Sequence, residues 1–180
     1  MTEQQKAVER WLDDVVIGLN LCPFAAKPRS NKQVRFVTSD ATSSEALLTH
    51  LYDELKFLEK TPSQEVETTL LIIPNYLADF DDYNQFLDIV DELLISFEWE
   101  GVFQIASFHP NYCFADTEPD SVENLTNRSP YPILHIIREA SMEKALKYMT
   151  APDEVFKRNI ETMNTLSVDE IKALFPYLYE

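Results

Sequence analysis

ASFHPNYCFADTEPDSVENLTNRSPYPILHIIR, residues 106–138, is the stretch that decides the fold. A strand-like apolar run, VFQIASF (102–108), leads into it, and ILHII (133–137) closes it. The residues between, 109–132, are polar and proline-rich and show no clear helical period. Parallel strands need a crossover, usually helical, whereas antiparallel strands do not. The last two strands are therefore expected to pair antiparallel.

Upstream, the pattern changes to strands separated by helices. Thr2 and Gln5 make a capping box for an amphipathic helix over 2–20, with Val8, Trp11, Leu12, Val15, Val16 and Leu19 on one face. That helix should stop near Cys22, because Pro23 disfavours helical geometry before it. Residues 23–33 read as a locally basic loop and 34–39 as a short strand. A second capping box, Thr42 to Glu45, opens a helix through about residue 60. TTLLII (68–73), ended by Pro74, reads as a buried central strand. Residues 79–98 are helical and Gly101 breaks that helix. The tail reads as helices over about 140–149, then from Pro152 at a first turn, then after a third capping box, Ser167 to Glu170.

The order α-β-α-β-α-β-β-α-α-α implies right-handed parallel crossovers followed by an antiparallel pair. The expected architecture is α/β, with α+β as the alternative: one domain over 1–180 around a mixed four-stranded sheet. The β-α-β-α-β-β-α succession also matches a thioredoxin-like order, without its CxxC.

Composition narrows the function. The net charge is −16, with 31 acidic residues against 15 basic. Such a field disfavours nucleic acid and anionic membranes, whose recognition needs clustered Lys and Arg. Only two glycines occur, Gly18 and Gly101, so there is no GxGxxG and no Walker A loop. No apolar run approaches the roughly 20 residues of a membrane span, and MTEQQKAVERWLDD is unlike a signal peptide. The expectation is a soluble cytoplasmic protein. Cys22 and Cys113 are too few for a disulfide scaffold.

The candidate chemistry falls in two places. Cys22, ahead of Lys27 and Arg29, could act as a nucleophile or redox thiol, or could be a small buried hydrophobe. His109 and Cys113 stand four residues apart directly after a strand. They suit acid–base work by His109 with Cys113 as nucleophile. Alternatively, Cys22, His109 and Cys113 would hold zinc or iron. In the turn Asn127-Arg128-Ser129-Pro130, a guanidinium, an amide and a hydroxyl suit a carboxylate or phosphate; the bland alternative pairs Arg128 with a nearby Asp or Glu such as Glu123. Pro130 and Pro132 allow a cis bond. His135 shares a strand face with Ile133 and Ile137 and reads as a neutral core histidine. His50 reads as a surface residue.

LNLCPFA (19–25), ASFHPNYCFA (106–115) and NRSPYPILHIIRE (127–139) closely resemble the signature segments of the bacterial family called domain of unknown function 1415. The likeness runs along essentially the whole chain. Matching positions are Asn20, Cys22, Pro23, Phe24, His109, Pro110, Cys113, Asn127, Arg128, Ser129 and Pro130. The resemblance implies a single-domain bacterial protein and carries no reaction or cofactor with it. CPFA also resembles the cysteine motif of omega-class glutathione transferases, where it opens a helix; here it is expected to end one.

The sequence reading is a small enzyme or binding protein for a small anionic ligand. Cys22, His109 and Cys113 would be the catalytic groups, and Asn20, Asn127, Arg128 and Ser129 would hold the ligand. A zinc or iron site and a non-enzymatic interaction module are the alternatives. No cofactor and no oligomeric state follow from the sequence.

Overall fold

The computed structural model describes residues 1–147 and 154–179. The chain begins with α1 (Glu3–Trp11), opened by the expected Thr2–Gln5 capping box. It continues without a break into a π-helical segment, Leu12–Ile17. The single helix expected over 2–20 thus changes hydrogen-bond register halfway, which periodicity alone does not signal. Gly18 follows, where a Cβ would collide with the Asp14 carbonyl oxygen. A wider turn of this kind re-aims the chain that leaves it.

The expected loop at 23–33 contains a short helix, α2 (Ala26–Ser30). Then come β1 (Val34–Thr38), α3 (Ser44–Lys60), β2 (Thr68–Ile72), α4 (Phe80–Ser96), β3 (Phe103–Phe108) and β4 (Ile133–Arg138). The cap of α3 is Ser43 rather than Thr42: its backbone is extended and its hydroxyl accepts from Ala46 N at 3.3 Å. Asp79 caps α4 by accepting from the amides of Asp81 and Asp82. Gly101, at φ 78°, turns the chain after α4. The long connection from β3 to β4 holds one 3-10 turn, Val122–Asn127. The tail supplies α5 (Glu139–Leu146), α6 (Glu154–Thr165) and α7 (Val168–Leu174). The Ser167–Glu170 capping box is present, whereas Pro152 lies outside the described residues.

The sheet is mixed and open, with strand order β1-β2-β4-β3. β1 and β2 are parallel, and β4 runs antiparallel to both β2 and β3. This is the expected α/β class. The return strand β4 inserts between β2 and β3 and does not add at the edge, so the two most apolar strands become central. Ile73 N donating to Pro132 O at 2.9 Å extends that pairing. Every described peptide bond is trans, those before Pro130 and Pro132 included.

Strand alternation sends side chains to two separate layers. Leu71, Ile73, Phe103, Leu134 and Ile136 pack under α3 and α4, which lie on the same face. Leu70, Ile72 and Ile133 pack on the other face with α1, the π segment, Met163 of α6 and Phe175. Arg138 at the end of β4 donates to the carbonyls of Leu58, Thr61 and Val66 at 2.6–3.1 Å. It thereby caps the C-terminus of α3, where a cation also meets the negative end of the helix dipole. No described helix is long and apolar enough to cross a membrane.

Candidate functional site

The β3–β4 connection carries most of the residues expected to do chemistry, and the structure occupies them with bracing. His109 is fully buried. Its Nδ1 accepts from Asn111 N at 3.0 Å, so its Nε2 carries the proton and donates to Leu77 O at 3.0 Å. The ring packs on Phe80 and Tyr83. Burial lowers its pKa, so it is neutral and both nitrogens are used. One of its partners, Leu77, has a left-handed backbone at φ 56°, a conformation costly for a bulky residue. His109 ties that turn to β3.

Cys113 lies 3.6 Å from the carbonyls of Phe114 and Thr117. Beside it is Asn124, fully buried, which the sequence marks only as the start of an N-x-T sequon. Asn124 Oδ1 accepts from Phe114 N and the Thr117 hydroxyl, and Nδ2 donates to Glu118 O at 2.8 Å. Asn127 Nδ2 donates to Ser107 O, and the buried Ser129 hydroxyl donates to Tyr131 O at 2.6 Å. Arg128 donates to Tyr112 O at 3.2 Å and Pro119 O at 2.7 Å, with no bond to Glu123. Its own carbonyl accepts from Tyr177. Asn20 is exposed with a left-handed φ of 53°, and its carbonyl accepts from Arg158.

Cys22 is elsewhere. It packs on the α1 face of the sheet, while His109 packs against α4 on the other. Among the described residues no three His, Cys, Asp or Glu side chains gather as metal ligands would. Among the described residues Cys22, His109 and Cys113 form no such set: Cys22 and His109 sit on opposite sides of the sheet, and both nitrogens of His109 are engaged.

What Cys22 does share is a cavity of about 490 Å³ between the CPFA turn, β2, β4 and α5. This volume is within the ~300–1,000 Å³ common for small-molecule sites. The buried Leu12 and Leu70 form its apolar floor, the exposed Lys27 and Lys144 stand at its mouth, and Glu67 lines one side. Cys22 and His135 both line it. His135 is central in the sheet, between Leu70 of β2 and Ala106 of β3.

CPFA does open a helical stretch, contrary to expectation: a turn over 23–25 runs directly into α2. Burial pushes the Cys22 thiol pKa up, and the amides of Phe24 and Ala25 only partly oppose it. Arg29 does not help, because it is held by Asp13 at 2.7 Å and Glu9 at 2.8 Å. The thiol is thus protonated at neutral pH.

The tautomer of His135 follows from one hydroxyl. Thr68 Oγ1 lies 2.6 Å from Ile136 O, which can only accept, so the single hydroxyl proton goes there. Thr68 Oγ1 is also 2.7 Å from His135 Nε2 and must therefore accept from it. Nδ1 is left as an unprotonated acceptor. Among the described residues it has no hydrogen-bond partner, and it is not among the sealed, unpaired polar atoms. The ring keeps some exposure into the cavity, yet desolvation lowers its pKa to about 4. His50, expected at the surface, is half-buried, with Nδ1 3.0 Å from Ser39 Oγ.

Fold and site together define an α/β protein with an open mixed sheet and a cavity that joins a cysteine to a histidine. Residues 3–173 match the family model described as "Protein of unknown function (DUF1415)", and the chain belongs to that family. Comparison with curated proteins and with solved structures finds no match.

Proposed function

We propose that this protein binds a small anionic molecule in the Cys22–His135 cavity. The observation that carries the reading is the cavity itself: an apolar floor bearing a thiol and an open imidazole nitrogen, with two lysines against one carboxylate around it. In a chain of net charge −16, a locally positive mouth concentrates an anion that the rest of the surface repels. The cationic role expected of Arg128 passes to Lys27 and Lys144, and the histidine of the site is His135, a neutral hydrogen-bonding group and not the acid–base catalyst expected of His109.

Binding is favoured over thiolate catalysis by the proton balance. An imidazole near pKa 4 does not take a proton from a thiol held above its ordinary value. The resting pair is neutral, and Cys22 contributes a polarisable contact on the floor.

The test is thermal unfolding of the full chain against a panel of small carboxylates and phosphate esters. A ligand at 100 times its Kd stabilises by about 2.7 kcal/mol. At least one member should raise the Tm, and the double variant Lys27→Gln/Lys144→Gln should abolish most of that shift. A panel without effect, or a shift indifferent to both lysines, refutes the reading.

A further inference from the structure

We infer that the ligand of this cavity is an amphiphilic acid carrying a hydroxyl or similar neutral proton donor at the end remote from its anionic group. This rests on the binding reading above and specifies its chemistry. The anionic group belongs at the mouth, where Lys27 and Lys144 are exposed. The body belongs on the floor, where Leu70 is 2% and Leu12 6% exposed. The donor is demanded by His135.

The demand comes from the hydrogen-bond chain Ile136 O, Thr68 Oγ1–H, Nε2–H. Each step allows one direction only. The carbonyl can only accept, the hydroxyl has one proton, and so Nε2 must donate. Nδ1 carries the remaining lone pair on a ring that lines the cavity, and no described residue, Cys22 included, hydrogen-bonds to it. A ligand with a bare hydrocarbon end would displace water from Nδ1 and leave that acceptor buried without a partner. A ligand ending in a second carboxylate would set lone pair against lone pair. A hydroxyl satisfies the nitrogen and costs no charge burial. Sites built around a buried polar group reject analogues that lack its partner more strongly than they reject a change of size. Thr68 is thus a positioning residue, acting on the ligand through the imidazole.

The experiment uses two matched pairs: phenylpropanoate with its para-hydroxy derivative, and octanoate with ω-hydroxyoctanoate. Kd is measured by calorimetry on the full-length protein. The hydroxylated member of at least one pair should bind about tenfold more tightly, as expected for one satisfied buried acceptor. His135→Leu should remove that preference while both members still bind. Thr68→Val, which keeps the shape and frees the ring, should reduce it. Lys27→Gln/Lys144→Gln should weaken both members alike. Independently of any ligand, 15N-histidine NMR of the wild-type chain should show Nδ1 unprotonated and Nε2 protonated for His135. Equal affinities within both pairs, a preference that survives His135→Leu, or an Nδ1–H tautomer overturns this inference and leaves anion binding standing. If neither member of either pair binds, this inference fails, and the binding reading fails with it only where the carboxylate and phosphate-ester panel also leaves the Tm unmoved.

Discussion

The β3–β4 connection and the Cys22 cavity each hold one histidine and one cysteine, but their polar atoms are placed very differently. In the connection, both nitrogens of His109 are engaged, and Asn124, Asn127, Arg128 and Ser129 spend their groups on nearby backbone. In the cavity, His135 spends one nitrogen on Thr68 and keeps the other open. A buried polar group that is fully satisfied has nothing left for a ligand. The hydrogen-bonded groups of the motif-dense loop are thus committed to bracing it, whereas His135 keeps one nitrogen without a partner among the described residues.

This contrast is broken most directly at His109. Replacing it by Ala removes two hydrogen bonds and the packing on Phe80 and Tyr83. The expected loss is about 3–4 kcal/mol in urea unfolding, combining lost bonds and a cavity. Asn124→Ala should cost about 2–3 kcal/mol, because its partners would be left unpaired. Neither should alter ligand affinity at the Cys22 cavity once the protein is folded. A His109 variant of native stability, or one that selectively abolishes binding, would return the function to the loop.

The next effect is on pH. Unfolded histidine titrates near 6.5, whereas folded His135 titrates at about 4. Between those values the unfolded chain binds more protons, so stability falls as pH falls and is retained above about 6.5. His109 is shifted in the same direction by burial. One pKa unit is worth about 1.4 kcal/mol, so His135 alone should contribute a loss on the order of 2 kcal/mol from pH 6.5 to 4. His135→Gln should flatten that part of the profile by comparison with wild type. An unchanged slope would mean that the ring is as well solvated as a free histidine.

Much of the fold is legible in local chemistry. The capping boxes at Thr2 and Ser167 mark their helices because each needs only four residues in a row. The antiparallel return of β4 follows from the missing crossover helix. The π segment does not announce itself, since its apolar spacing is also that of an α-helix. α2 was hidden behind Pro23 and Pro28, which read as loop residues.

The candidate site was legible in half. Cys22 could be singled out from CPFA. His135 could be assigned to the same face as Ile133 and Ile137, but alternation says which face a residue takes, never whether that face is completely covered there. The gap between the CPFA turn and α5 is a product of tertiary packing. The one available signal was Thr68, a hydroxyl at the start of an apolar strand, where it can fix a facing histidine. Conversely, HPNYC and NRSP read as reactive motifs because loop bracing uses the same residue types as catalysis.

The smallest expected effect is at Cys22 itself. Substitution by Ser should change stability by less than about 1 kcal/mol, since the side chain lines a cavity and is not sealed within the core. Its reactivity is the sharper measurement. Alkylation proceeds through the thiolate, and burial holds Cys22 protonated at neutral pH. Iodoacetamide should therefore modify it more slowly than free cysteine at pH 8, with the rate still climbing above the range where free cysteine levels off. Site-resolved mass spectrometry separates it from Cys113. A ligand that fills the cavity should slow the reaction further by covering the sulfur. Fast alkylation near pH 7 would instead reveal a thiolate, and with it a catalytic site where the geometry supports a neutral binding pocket.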